Sequence, residues 1–248
     1  MNKVSSGIVR DYFSRPKVLD HYEDAANRVG LWNSEKIVFT KTFPAKNLKI
    51  LELGCGAGRI AFGLNKLGYS NLLATDFSRE MIKRAIRMRK SSQKEIIFSV
   101  EDALSLSFPE ASFDGIIFGF NGLMQIPGRE KRKQVMKEAY RVLRKNGYFV
   151  FTTHDRTMQK WKKFWVSEKK RWKKGEQNQE LLEFGDRFEE TDKGMLYIHV
   201  PEVADVRLDL SNTGFSVERD LLKSKICEES KLVHKYSDDC RFWIARRK

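Results

Sequence analysis

Ile50-Leu51-Glu52-Leu53-Gly54-Cys55-Gly56-Ala57-Gly58-Arg59 is the stretch that decides how the rest of the chain is read. A short apolar run of strand type delivers Glu52 and then breaks on three glycines at alternate positions. Helical spacing takes over at Ile60, Ala61, Leu64 and Leu67 and stops at Gly68. Glycines so placed let the chain turn sharply and bring its backbone close to a ligand, an approach that a Cβ would block. The dinucleotide fingerprint G-x-G-x-x-G wants its third glycine where this chain has Arg59, which argues against a nicotinamide cofactor.

Working outward, strands and helices alternate, the mark of a parallel α/β sheet. After the strand at 47–53, strands are expected at 71–76, 95–100, 113–119 and 147–153. A helix from about Ser78 carries Met81, Ile82, Ala85 and Ile86 on one face, with Ser78 as its N-cap. A second apolar stripe runs through Val135, Ala139, Val142 and Leu143, and Lys145-Asn146-Gly147 turns the chain into the fifth strand. Crossovers between parallel strands are right-handed, so the sheet should be doubly wound. Asp76 closes the second strand and Asp102 follows the third. The carboxyl ends of neighbouring parallel strands share one crevice, where an acid at position 76 can accept hydrogen bonds from both hydroxyls of a ribose.

In order and spacing, the glycine loop resembles the class I S-adenosylmethionine-dependent methyltransferases when taken with Ala74-Thr75-Asp76-Phe77-Ser78, residues 98–108, residues 113–126 and residues 140–154. The resemblance covers residues 48–154 well and the C-terminal strands more loosely. It implies a mostly parallel, seven-stranded sheet with the last strand antiparallel, and S-adenosylmethionine as cofactor with S-adenosylhomocysteine as product. It further implies that Glu52 and the backbone of Gly54, Cys55, Gly56 and Gly58 face the methionine part of that cofactor. Asp76 would hold the ribose, Phe77 and Met81 would lie against the adenine, and Asp102 would accept from the adenine amino group beside the Ala103 backbone. Phe118 and Gly119 would pass under the sulfonium.

The whole chain, 1–248, reads as a single domain. Its core is expected over 42–154 and 201–248, with a helical N-terminal lid at 1–41 and an inserted lid at 155–200. A strand near 195–200, a helix around 202–212 and strands at 215–222 and 240–246 complete the expected elements. Cys55, Cys227 and Cys240 form no CxxC pair and leave a thiol over, which points to a reducing compartment and away from a metal site. With no apolar signal region or span, the expectation is a soluble, cytoplasmic protein without a membrane partner.

Lids suit methyl transfer, an in-line displacement that mainly needs alignment and exclusion of water. A base is required only for a protonated nucleophile. His154, at the end of the fifth strand, and Tyr22 are the candidate catalytic groups. Tyr12 and Asn121 are candidate substrate contacts. The expected acceptor is an N or O atom of a small molecule.

The alternative partner is RNA, in particular tRNA. A net charge of +14 draws phosphates. In the helix near 160–174, Trp161, Phe164, Trp165 and Trp172 share one face, while Lys162, Lys163, Lys169, Lys170, Arg171, Lys173 and Lys174 crowd the rest. Segments 195–206 and 240–248 are faintly similar to wobble-uridine tRNA methyltransferases. The preferred reading of the helix is an amphipathic lid with its tryptophans on the domain. Oligomeric state is not legible in the sequence.

Overall fold

The computed structural model describes residues 3–90 and 96–248. Glu95, the first residue of the expected third strand, lies outside that range, as do residues 1–2 and 91–94.

The chain enters through three helices. Helix α1 (Ser6–Phe13) opens where the Ser5 hydroxyl accepts from the Ile8 N–H, and α2 (Pro16–Asp24) has proline at its first position, where no intrahelical donor is lost. A π-helical turn at Ala25–Val29 leads to α3 (Asn33–Thr42), whose Glu35 accepts from the Trp32 backbone N–H at 2.9 Å.

Then comes the alternating core: β1 (Ile50–Leu53), α4 (Arg59–Lys66), β2 (Leu72–Asp76), α5 (Arg79–Met88), β3 (Ile96–Val100), β4 (Phe113–Phe118), α6 (Arg129–Val142) and β5 (Leu143–Thr153). All four residues of β1 are buried, as a central strand covered on both faces must be. The Ser78 hydroxyl accepts from the Met81 N–H and caps α5 as expected. The Lys145-Asn146-Gly147 turn became an irregularity inside β5: pairing with β4 shifts between Phe113 and Gly115, and Asn146 takes a φ of 68°.

Helix α7 (Lys162–Lys174) follows, then β6 (Asp186–Thr191), β7 (Gly194–His199), α8 (Val203–Asn212), β8 (Phe215–Leu222), the short α9 (Lys223–Ile226) and α10 (Lys231–Tyr236), and β9 (Arg241–Arg247). Among the described residues, seven strands form the main sheet in the order β3-β2-β1-β4-β5-β9-β8. Strand β9 runs antiparallel to both its neighbours and all other pairings in this sheet are parallel, the architecture expected from the sequence. One apolar layer joins α3 and α4 to the sheet around Phe39, Phe43 and Leu64, and the other joins α6 and α8 around Val135, Met136 and Leu210.

The strand expected near 195–200 is present as β7, but among the described residues it pairs only with β6, in a separate two-stranded hairpin. β6 reads Asp-Arg-Phe-Glu-Glu-Thr, and its charges hid it from a hydropathy pattern. The hairpin is fixed from within: buried Asp186 accepts from the Tyr197 hydroxyl at 2.8 Å and from the backbone N–H groups of Leu182 and Glu183, with His199 Nδ1 at 2.8 Å. Tyr197 joins Val9, Tyr12, Phe13, Val18 and Leu19 in a third apolar cluster. The N-terminal helices and the insertion thus make one cap, and Met81 of α5 ties it to the core.

Candidate active site

The order of the parallel strands reverses between β1 and β4, and a cleft opens at their carboxyl ends, the switch-point position at which such sheets bind ligands. Its open space, mouth included, is about 910 Å³. Gly54 and Gly56 have φ of 62° and 53°. A Cβ on Gly54 would stand 2.7 Å from the Phe118 ring and one on Gly56 3.1 Å from the Tyr22 ring, so space and backbone both require glycine here.

Most of the cofactor residues expected from the sequence meet in this cleft. Gly54, Gly56, Phe118 and Gly119 line it at the ends of β1 and β4. Asp76, Phe77 and Met81 line it beyond β2, and Asp102 and Ala103 beyond β3. The Asp76 carboxylate accepts from the Gly56 N–H at 2.9 Å and the Ser78 N–H at 2.8 Å. Burial pushes its pKa up to about 6 against the pull of those two amides. A carboxylate offers about four acceptor directions, so two remain for a ligand's hydroxyls.

Glu52 and Cys55 lie in a smaller adjoining chamber that shares Tyr22, Gly54, Gly119 and Phe120 with the cleft. Burial drives the Glu52 carboxyl up to about 8, Arg59 opposing it, and Glu52 Oε2 has no hydrogen-bond partner among the described residues. The Cys55 thiol is buried and held well above its ordinary pKa, so it is no nucleophile. Gly58 lines neither space. It takes a φ of 90° at the N-cap of α4, where a Cβ would strike Phe62 and Phe98.

Arg59, the residue that spoils the dinucleotide fingerprint, has a structural partner. Its guanidinium makes two 2.6 Å hydrogen bonds to the buried Glu35 carboxylate and a third, at 2.9 Å, to the Gly30 carbonyl. It also stacks 4.7 Å from the Trp32 ring centroid, clamping α3 to α4 beside the glycine loop.

The remaining expectations fare differently. Tyr22 lines both spaces, packed edge-on to Phe13 and Phe120. Burial and the neighbouring Tyr12 and Asp76 hold its phenol far above 10, so it stays protonated at neutral pH and cannot serve as a base. His154 is not in the cleft lining: it sits at the end of β5, its Nε2 3.3 Å from Asn121 Nδ2. Burial and Arg187 push it down to about 4. The imidazole lies outside the cleft lining in this structure, since a strand end gives a side chain's level in the sheet but not the direction it takes. Asn121 also misses the cleft, because its backbone N–H donates to Thr152 Oγ1 at 2.8 Å and the residue is buried. Tyr12 is a cap residue 3.4 Å from the Thr191 hydroxyl, also away from the lining.

Sequence reasoning missed Val9, Arg10 and Phe13 of α1 and Phe120, Gln125 and Ile126 after β4, all of which line the cleft. Phe120 and Asn121 are consecutive non-glycine residues at φ of 50° and 59°, an uncommon conformation that seats the Phe120 ring against Tyr22 and Trp32. No motif announces such a turn.

Residues 50–147 match the family model described as a methyltransferase domain. The centre of this chain is thus similar to methyltransferase domains. The demethylmenaquinone methyltransferase of Lactobacillus johnsonii is 35% identical over 153 residues, which are 59% of this chain and 60% of that protein. A ubiquinone/menaquinone biosynthesis C-methyltransferase of Rickettsia massiliae is 31% identical over 58% of this chain and 59% of its own length. The matches therefore span about 60% of these curated relatives. A solved S-adenosylmethionine-dependent methyltransferase from Methanosarcina mazei superposes with a TM-score of 0.68 at 21% identity, over 85% of this chain and 96% of that one, and shares the fold of the methyltransferase domain.

Proposed function

We propose that this chain transfers a methyl group from S-adenosylmethionine to a carbon of a small, largely apolar acceptor, which loses that carbon's proton, ultimately to solvent, as S-adenosylhomocysteine is released. The observation that carries the cofactor is the cleft with its adjoining chamber, where two glycines, the doubly amide-bonded Asp76 carboxylate and, in the chamber, the unpartnered Glu52 oxygen lie around the switch point. These residues fit the group. Asp76 would take the ribose hydroxyls, Phe77 and Met81 the adenine, and Glu52 the ammonium of the methionine part, a cation that satisfies a buried and unpartnered oxygen.

The acceptor is argued from the walls. Val9, Phe13, Leu104, Phe118, Phe120 and Ile126 make the cleft mainly apolar. The relatives are named for a demethylated quinone and for C-methylation, so carbon replaces the N or O atom expected from the sequence. RNA finds no support in those relatives.

Bound S-adenosylmethionine supplies an electrophilic methyl on a good leaving group. The chain has to align an electron-rich carbon with it, exclude water and avoid competing nucleophiles, and alignment alone is worth up to about 7–11 kcal/mol in ideal cases. The cap does the excluding, with Tyr22 packed against Gly56 and Phe13 edge-on to Tyr22. Tyr22 remains a neutral phenol able to donate a hydrogen bond to an oxygen on the acceptor ring.

Incubating the purified chain with methyl-labelled cofactor and a reduced demethylated quinone tests the reading. Label should pass into the solvent-extractable quinone. Asp76→Ala should weaken cofactor binding by more than about tenfold, through loss of charge-assisted hydrogen bonds, while thermal unfolding stays cooperative. Unchanged calorimetric affinity in that variant would overturn the placement of the ribose.

A further inference from the structure

One strongly charged surface is left over by this site. At 100° per residue, Trp161, Trp165, Glu168 and Trp172 fall on one side of α7, and Lys162, Lys163, Lys169, Lys170, Lys173 and Lys174 fall on the other, around Val166. Contacts settle which side faces the protein. Trp165 and Trp172 pack edge-on against Phe184, Trp161 lies under the Arg187 guanidinium, and Glu168 is buried with Arg171 as its partner. Lys162, Lys163, Lys169, Lys170 and Lys173 have no ion-pair partner among the described residues, and Val166 in their midst is 52% exposed.

We infer that this outward face of α7 docks the protein on an anionic phospholipid surface. The opposite sign of charge is the first argument, and the exposed Val166 is the second: interfacial helices combine a lysine field with apolar contact. The inward turn of the aromatics is the third. A single-stranded RNA site needs aromatic faces free for stacking bases, and here they are spent on Phe184 and Arg187.

The chain that follows α7 joins this surface to the cleft. The Glu180 carbonyl accepts from the Val4 N–H and the Leu181 carbonyl from Lys3 Nζ, both at 2.9 Å, just before α1, whose Ser6, Val9 and Arg10 line the cleft. Leu182 is 39% exposed beside Gly128, next to the cleft residues Ile126 and Pro127, and Ile8 of α1 is 43% exposed. An apolar acceptor dissolved in a bilayer would then find the mouth near the docking face. This last step rests on the proposed function; the docking itself does not. The expectation of no membrane partner rested on the lack of a spanning segment, and none of the described helices is long and apolar enough to cross a bilayer. A peripheral surface needs none.

Flotation of the full chain with vesicles tests the inference. Vesicles of phosphatidylcholine and phosphatidylglycerol in equal parts should carry the protein at low salt, and pure phosphatidylcholine vesicles should not. Each lysine near an anionic surface is worth about fivefold in partitioning, so Lys162→Gln, Lys169→Gln and Lys173→Gln together should lower binding by about 100-fold. These side chains are exposed, so the triple variant should melt like the parent and bind the cofactor with the same calorimetric affinity. No binding to the anionic vesicles, or binding that the triple variant retains, would overturn the proposal. So would tighter binding to a single-stranded RNA than to vesicles at matched salt, which would assign the face to nucleic acid. None of these readouts needs turnover, so a failure of docking and a failure of the methyltransferase reading remain separable.

Discussion

Replacing Glu52 by glutamine should make the ligand-free protein more stable and a worse binder of its cofactor, with a pH dependence set by one carboxyl group. Glu52 is 4% exposed, its Oε2 has no hydrogen-bond partner among the described residues, and burial raises its pKa from the ordinary 4.5 to about 8. The folded state therefore holds the Glu52 proton more tightly than the unfolded chain does. Stability from this group is fully present below about pH 4.5 and is lost as pH rises through about 8. Each pH unit in that window costs about 1.4 kcal/mol, so the deficit at pH 7 is about 3 kcal/mol. Glutamine keeps the shape and does not titrate. Urea unfolding of the ligand-free protein should then show Glu52→Gln and the parent nearly equal at pH 4.5, with the variant ahead by about 3 kcal/mol at pH 7. Calorimetry at pH 8 should show the reverse for cofactor binding, a loss of about tenfold or more as one charge-assisted hydrogen bond disappears. A stability difference that stays flat between pH 5 and 8 would refute the reasoning, because it would mean that Glu52 is ionised and satisfied without a ligand.

Two further outcomes are expected. Arg59→Ala leaves the Glu35 carboxylate buried without its bidentate partner and should cost about 3–5 kcal/mol in urea unfolding, much of which the double variant with Glu35→Gln should recover. His154→Gln should change kcat by no more than about twofold and leave the parent's pH profile between pH 5 and 7 unaltered, because the imidazole lies outside the cleft lining and titrates near 4; a fall of tenfold would assign it as a base.

How much was legible depended on whether a residue's job is local. The glycine loop was legible because Gly54 and Gly56 answer a backbone demand that shows in the letters themselves. Asp76 was legible because a parallel strand's carboxyl end has one place to go. The hairpin partner β6 was not, because a half-exposed antiparallel pair tolerates charge at nearly every position. His154, Asn121 and Tyr12 lie outside the cleft lining for a shared reason: each was assigned by its proximity in sequence to a strand end or cap helix, and proximity leaves the side chain's direction open.

By itself, then, the sequence determined the alternation of strands and helices, the doubly wound sheet, the glycine loop with its acids, and the two-sided character of α7. All of these follow from periodicity and from steric limits acting over a few residues. Only the tertiary structure decided which excursions fold over the cleft, that Arg59 pairs with Glu35, that His154 sits against Asn121 outside the cleft lining, and that the lysines of α7 face outward. Those outcomes depend on contacts between segments far apart in the chain, such as Val4 with Glu180 and Arg59 with Glu35, and long-range packing leaves no periodic trace in either segment alone.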